Sequence, residues 1–248
     1  MKYNYIYHLG RYVFFIRGMF SKPEKAKIFV NRVFEEMNNI GIGSLPIVAI
    51  ISVFIGAVTT VQTAYQLVSP LVPASIIGQI VSDSSILELS PTIMSLVLAG
   101  KVGSHIASEI GTMRVTEQID ALEVMGINAS GYLILPKIIA ALFMFPILNI
   151  ISITLSIWGG ITAGELTGAL SQEEFLFGAR ETFKGFVVFF SILKAVTFSF
   201  IITSISAYQG YHTSGGALEV GTSSTRSVVY SCVMILFADY ILAQLLLK

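Results

Sequence analysis

The sequence predicts an all-α integral membrane protein, and three observations carry that prediction. Hydrophobic residues fill 54% of the 248 positions and charged residues only 12%, against about 25% charged in a soluble domain. Five segments are each apolar over the roughly 20 residues needed to cross a bilayer. Lys and Arg are also unevenly spread: residues 1–45 hold seven of them, whereas residues 68–84 hold none.

The elements follow in chain order. Residues 1–45 form a separate N-terminal segment. In KAKIFVNRVFEEMNNI, Phe29, Val33, Met37 and Ile40 share one side of a helix, and Lys25, Lys27, Arg32, Glu35 and Glu36 fall largely elsewhere. An amphipathic helix rich in basic and aromatic residues suits the membrane interface, so this segment is read as an interfacial elbow helix. Arg11 and Arg17 interrupt the first apolar stretch and no small-residue cleavage site follows it, which argues against a signal peptide. Residues 46–248 form the five-span domain, with spans placed near 46–67, 85–106, 132–158, 186–207 and 227–247. The third has apolar character as far as Glu165.

Orientation follows from the basic residues, which favour the cytoplasm. Lys2, Arg11, Arg17, Lys22, Lys25, Lys27 and Arg32 put the N-terminus there. Five spans then put the C-terminus on the outer side. Loops 107–131 and 208–226 face the cytoplasm, and loops 68–84 and 159–185 face out.

Within the first cytoplasmic loop, GTMRVTEQIDALEVMG (111–126) is the most polar run of the middle chain. Thr116 can cap a helix and Gly126 can end one. Val115, Ile119 and Leu122 make an apolar stripe, with Glu117, Asp120 and Glu123 beside it. A rigid helix between two spans can pass force from a cytoplasmic partner, and it can equally be an ordinary surface helix; the residues alone leave both open.

Several function classes are excluded. The formal net charge is zero, so there is no basic surface for nucleic acid. The single cysteine, Cys232, has no partner for an internal disulfide, and His8, His105 and His212 are too scattered for a metal site. Lys101 follows Gly100, but the GxxxxGK[ST] pattern of a nucleotide-binding loop is not present there. No nucleophile–base pair is evident.

Glu88, Lys194 and Asp239 stand inside spans, and Lys101 and Lys137 lie in the spans that flank loop 107–131. A charge at mid-span costs roughly 2.5–3.5 kcal/mol on insertion scales, so it needs a partner or a purpose. Lys194 and Asp239 fall at similar depth on consecutive spans, and an ion pair between them is expected, with Glu88 close enough to join. Small residues recur every four positions at Ala99, Gly103, Ala107 and Gly111, and again at Gly160, Gly164 and Gly168. Such ridges let helices approach closely. Packing within the chain is the plainer reading and a homodimer seam the sharper one.

The run AGKVGSHIASEIGTMRVTEQIDALEVMGIN (99–128) resembles the signature of the MlaE/YrbE permease family. The segments AYQGYHTSGGALEVGTSSTRSVV (207–229) and LELSPTI (87–93) resemble further parts of it. The resemblance implies the membrane permease of an ABC transporter that moves phospholipid or a related lipid together with a mammalian-cell-entry (MCE) domain protein. It implies a homodimer in the inner membrane of a two-membrane cell envelope, where such systems maintain outer-membrane asymmetry. ATP and magnesium would belong to a separate ATPase subunit, and this chain would carry no cofactor. Residues 116–126 would be the coupling helix, with Thr116, Glu117, Gln118, Asp120, Ala121 and Leu122 facing the ATPase. One departure stands out: the family commonly has Arg-Glu-x-Gly-Pro where this chain has Leu87-Glu88-Leu89-Ser90-Pro91. Two rival functions remain at this level. One is an ion-coupled lipid transporter that uses Glu88, Lys194 and Asp239 as a proton relay; the other is a membrane anchor of an MCE assembly that moves nothing. No internal repeat is evident, which counts mildly against the first.

Overall fold

The computed structural model describes residues 5–19, 26–67, 73–181 and 183–246. Lys2, Lys22 and Lys25, used above to orient the chain, lie outside these residues, as do residues 68–72 of the first outer loop. The regular structure is helical, with no strand among the described residues. The elements are α1 (Tyr5–Gly18), α2 (Ala26–Ile40), α3 (Leu45–Gln66), α4 (Ser75–Val115), α5 (Gln118–Val124), α6 (Ala129–Leu133), α7 (Leu135–Leu166), α8 (Gln172–Glu181), α9 (Gly185–Tyr211) and α10 (Ala217–Leu246). Among the described residues five helical runs are long and apolar enough to cross a membrane: Lys27–Gln66, Ser75–Val115, Ala129–Leu166, Gly185–Tyr211 and Ala217–Leu246.

These helices outrun the expected spans. Helix α4 begins ten residues before position 85 and ends nine after position 106, and α10 begins at Ala217 rather than near 227. Hydropathy marks the length of hydrocarbon crossed, whereas a helix continues until a capping or stop signal ends it. Residues 75–84 and 172–181, expected in loops, are helical. Helix α8 starts at a reciprocal cap. The carboxylate of Glu174 accepts from the Ser171 amide at 2.8 Å and its hydroxyl at 2.9 Å, and the Ser171 hydroxyl accepts from the Glu174 amide at 3.3 Å. This is the Ser-x-x-Glu box. The amide bond first, then the hydroxyl, holds the Glu174 carboxyl below its ordinary range.

Helix α4 is irregular in two places. Residues Ser85–Ile93 and Ala99–Gly103 are π-helical. Pro91 lies inside the first stretch. Proline has no N–H to bond the carbonyl four residues back and its ring crowds that carbonyl. Widening the turn by one residue relieves the conflict.

The chain divides into two compact units. The first comprises residues 1–42, 98–144 and 198–237. In it, Phe15 of α1 is buried against Tyr208, Tyr211 and His212, with ring centroids 5.6, 5.2 and 5.6 Å away. The Tyr12 hydroxyl donates to Ser204 at 2.7 Å. The Arg32 guanidinium of α2 lies 3.6 Å from the Tyr132 ring centroid. Phe29, Val33 and Met37 of α2 are half-buried and Ile40 buried, but Phe34 on the other side is 65% exposed.

The second unit comprises residues 43–97, 145–197 and 238–248. Here α3 and α7 meet along small and hydroxylated residues. The Ser52 and Ser152 hydroxyls share a bond of 2.8 Å, and Ser85 of α4 shares one of 3.0 Å with Ser156 of α7. A Cβ at Gly56 would overlap the backbone of Ser156, and one at Gly159 would overlap that of Val53. Helix α8 lies on the first turns of α4 in the same way, with Gly78 facing the Phe175 backbone and Gly178 facing that of Ser75. Beneath that contact Ile77, Val81, Leu170 and Phe175 form a buried cluster. Backbone approach this close gains dispersion contacts that larger residues would prevent.

Gly56→Val is therefore expected to destabilise the purified protein by about 1–3 kcal/mol, the range for overpacking, read as a lower midpoint of thermal unfolding in detergent. Gly221→Ala on α10, where no neighbouring atom stands within 4 Å, should leave the midpoint unchanged or raise it.

Candidate functional site

Lys194 is the centre of the second unit's charged site. It lies on α9 and is fully buried. Its Nζ is 2.7 Å from Glu88 Oε1 and 3.1 Å from the Leu87 carbonyl, both on the π-helical stretch of α4. It is also 2.7 Å from Asp239 Oδ1 on α10. The Phe190 ring centroid lies 4.8 Å away. In an α-helix the Leu87 carbonyl would have to bond the N–H of residue 91, which is proline; the π-helical turn avoids that pairing, and the carbonyl receives the Lys194 ammonium. The ammonium points at Glu88 and Leu87, so Asp239 Oδ1, which is buried, has an ion-pair contact without an aligned hydrogen bond. The Glu88 side chain is 45% exposed, and Thr92 donates to its second oxygen at 3.5 Å. One cation and two carboxylates leave a formal charge of −1 in an apolar stretch. Removing one member of such a group strands the others, which costs more than the pair itself contributes.

A second site, in the first unit, was not found from the sequence. Lys137 is 3% exposed although charged. Its Nζ is 2.8 Å from Glu109 of α4 and forms a second ion pair with Glu36 of α2. His105 Nδ1 stands 3.7 Å from the same Glu109 oxygen. The available signal was a lysine directly after Pro136 at the head of a long apolar run, together with the acidic residues Glu36 and Glu109 at matching ends of other helices.

The segment after α4 is organised differently from its sequence reading. Thr116 does not cap α5: its hydroxyl turns back to the Thr112 carbonyl at 2.8 Å and closes α4. Hydroxyls readily bond the carbonyl four residues back, and here that local bond wins. Glu117 then takes a left-handed conformation, φ 60°, at a cost of about 1–2 kcal/mol for a residue with a Cβ. Helix α5 covers only Gln118–Val124. It ends at Gly126, φ 80°, where the amides of Gly126 and Ile127 bond the carbonyls of Glu123 and Leu122 at 2.9 and 3.0 Å. That is a Schellman stop.

Of the apolar stripe, Ile119 is fully buried, while Val115 and Leu122 are half-buried. Two of the three acids are bonded within the chain while still solvent-exposed: Asp120 pairs with Arg114, and Glu123 accepts from the Tyr211 hydroxyl at 2.6 Å. Glu117, Gln118 and Ala121 are exposed, and so are Val124 (88%) and Met125 (66%). Next to this segment, burial holds the imidazole of His212 below its ordinary range. Arg11 and Arg114 push the same way, against a bond to the Tyr208 carbonyl.

The ridge Ala99, Gly103, Ala107 and Gly111 is buried inside the first unit. Gly103 faces Ser206 and Ile202, Ala107 faces Gly210, and Gly111 faces Thr213 and Val220. Ser224 and Ser227 of α10 donate to the carbonyls of Ser104 and Gly103 at 3.2 and 3.5 Å. That ridge is thus occupied within the chain. Among the described residues no three His, Cys, Asp or Glu side chains are grouped to hold a metal ion.

Long apolar helices with buried, mutually compensated charges define a multi-pass membrane protein. The family model described as Permease MlaE matches residues 33–245. A "Probable ABC transporter permease protein" of Rickettsia bellii is 34% identical over 240 residues, covering 97% of this chain and 92% of its own. One from Synechocystis sp. is 35% identical over 236 residues, covering 95% and 89%. Another, from Porphyra purpurea, is 37% identical over 215 residues, covering 86% and 80%. The chain belongs to the MlaE permease family and is the permease subunit of an ABC transporter.

Lys194→Asp and Asp239→Lys are each expected to lower stability by about 3–5 kcal/mol. The double reversal, which restores one cation between two carboxylates, should recover most of it. Yield of monodisperse protein and unfolding midpoint check this, and a double variant no better than the singles would refute the pairing.

Proposed function

We propose that this permease moves phospholipid or a related lipid between the inner membrane and an MCE-domain partner, driven by ATP hydrolysis in a separate cytoplasmic subunit. The protein works as a homodimer, with its N-terminus in the cytoplasm and its C-terminus in the periplasm. Residues 1–45 brace the membrane interface. The observation that carries the coupling role is the surface of α5. A seven-residue helix is held by Ile119, Asp120 and Glu123, yet presents Gln118, Ala121, Val124 and Met125 outward. Exposed apolar side chains on a braced helix suit a protein groove better than water. Glu117 and Thr116 stand at its entry, and Leu122 is partly available beside it.

The charge network fits a lipid path. Glu88 is buried on its lysine side and open on the other. An amphipathic ligand meeting Glu88 would find a polar group inside an otherwise apolar span, which is where discrimination between head group and chain is made. Helices α3 and α10 support the homodimer: Phe54 (65%), Val233 (60%) and Tyr240 (65%) are among the large apolar side chains left exposed. A second copy and lipid together would cover them.

Purification from the native membrane tests the reading. An ATPase is expected with the wild type and should be lost from an Ala121→Arg, Val124→Glu variant that still folds. Reconstituted with its partners, the protein should transfer lipid only with ATP. Transfer that survives ATP depletion but collapses with the proton gradient would favour ion coupling. An intact assembly that transfers nothing would make the protein an anchor.

A further inference from the structure

Helix α5 is too short to hold its own position. Isolated helices under about 12 residues are marginal in water, so a seven-residue helix owes its placement to contacts with its surroundings. Three contacts do this. Ile119 is fully buried beneath it. Asp120 and Glu123, three residues apart and so on one face, reach two different helices: Asp120 pairs with Arg114 in the last turn of α4, and Glu123 accepts from Tyr211, the last residue of α9.

The two braces are also joined to each other. The Arg114 guanidinium carbon lies 5.7 Å from the Tyr211 ring centroid. Tyr211 is itself fixed, with Phe15 of α1 at 5.2 Å and His212 at 5.5 Å, ring to ring. The phenol therefore sits in a packed aromatic group and offers its hydroxyl from a rigid mount.

Toward α4 the covalent path from α5 runs through Glu117 in its left-handed turn. Helix α9 is not an immediate chain neighbour of α5 at all. The Tyr211–Glu123 bond supplies that missing link.

We propose that Tyr211 and Arg114 are positioning residues that carry displacement of α5 into α9 and α4, so that ATP turnover is converted to lipid movement through two specific side-chain bonds. The proposal rests on the coupling role given to α5 above.

The test uses the whole complex, permease with its ATPase and MCE partner, in vesicles of phospholipid. Three quantities are read: ATPase retained, ATP hydrolysed, and lipid transferred per ATP. Tyr211→Phe removes only one hydroxyl. It should retain the ATPase at wild-type stoichiometry and lower transfer per ATP by about two- to tenfold, the weight of one hydrogen bond. Glu123→Ala should do the same, and Tyr211→Phe with Glu123→Ala should fall no further than either alone, because both remove one interaction. Glu123→Gln, whose amide oxygen still accepts the phenolic proton, should retain wild-type coupling. Transfer per ATP unchanged in Tyr211→Phe, or additive losses in the double variant, would overturn the proposal. Loss of the ATPase from Tyr211→Phe would also overturn it, by making the hydroxyl an assembly contact. A wild-type complex without any ATPase is a different result: it removes the proposed function itself, and this inference with it.

Discussion

An ammonium group cannot stand alone in hydrocarbon, and this chain meets that constraint twice. Lys194 and Lys137 are both buried, and each is held between two carboxylates drawn from two other helices. Lys194 thereby ties α9 to α4 and α10; Lys137 ties α7 to α4 and α2. Helix α4 supplies one acid to each, Glu88 and Glu109. Apolar contact between helices has little directional preference in a lipid environment. A buried charge has a strong one, because every wrong register leaves it uncompensated. The two lysines thus fix which helices are neighbours, and the small residues fix how near they come.

Polar groups elsewhere follow the same logic at lower cost. Ser52, Thr60, Thr197 and Thr203 return their hydroxyls to carbonyls four residues back, which satisfies them without a partner helix. Some also reach across: the Ser52 and Ser152 hydroxyls share a bond of 2.8 Å, and Asn149 donates to Ser191 at 2.8 Å. In lipid, where no water can replace a missing bond, such contacts let polar residues serve as packing material.

How much of this was legible depended on whether a signal was local. Glu88, Lys194 and Asp239 could be read because each is a lone charge in an apolar run. Lys137 could not, because it sits beside Pro136 at the head of a run, where a charge is ordinary, and its partners lie 101 and 28 positions away. The five spans were legible by composition, whereas their ends were not, since hydropathy does not record where a helix is capped. The box at Ser171 was in plain view but belonged to a stretch judged by its polarity. At α5 the stop at Gly126 was readable and the start was not. Nothing in the residue type announces that Glu117 will adopt a left-handed turn, or that Thr116 will close the preceding helix. The acids there have no sequence mark that separates a partner-facing carboxylate from one spent on Tyr211 or Arg114.

The third ligand of Lys194 is a main-chain oxygen, and this bears on how the site tolerates change. Position 87 carries Leu, whose side chain has no polar group, yet its carbonyl receives the ammonium at 3.1 Å. A backbone acceptor is indifferent to the side chain that bears it. Pro91, four residues on, lies in the same π-helical stretch and has no N–H to offer that carbonyl. A substitution at position 87 can therefore change the side chain without removing the acceptor that meets the lysine.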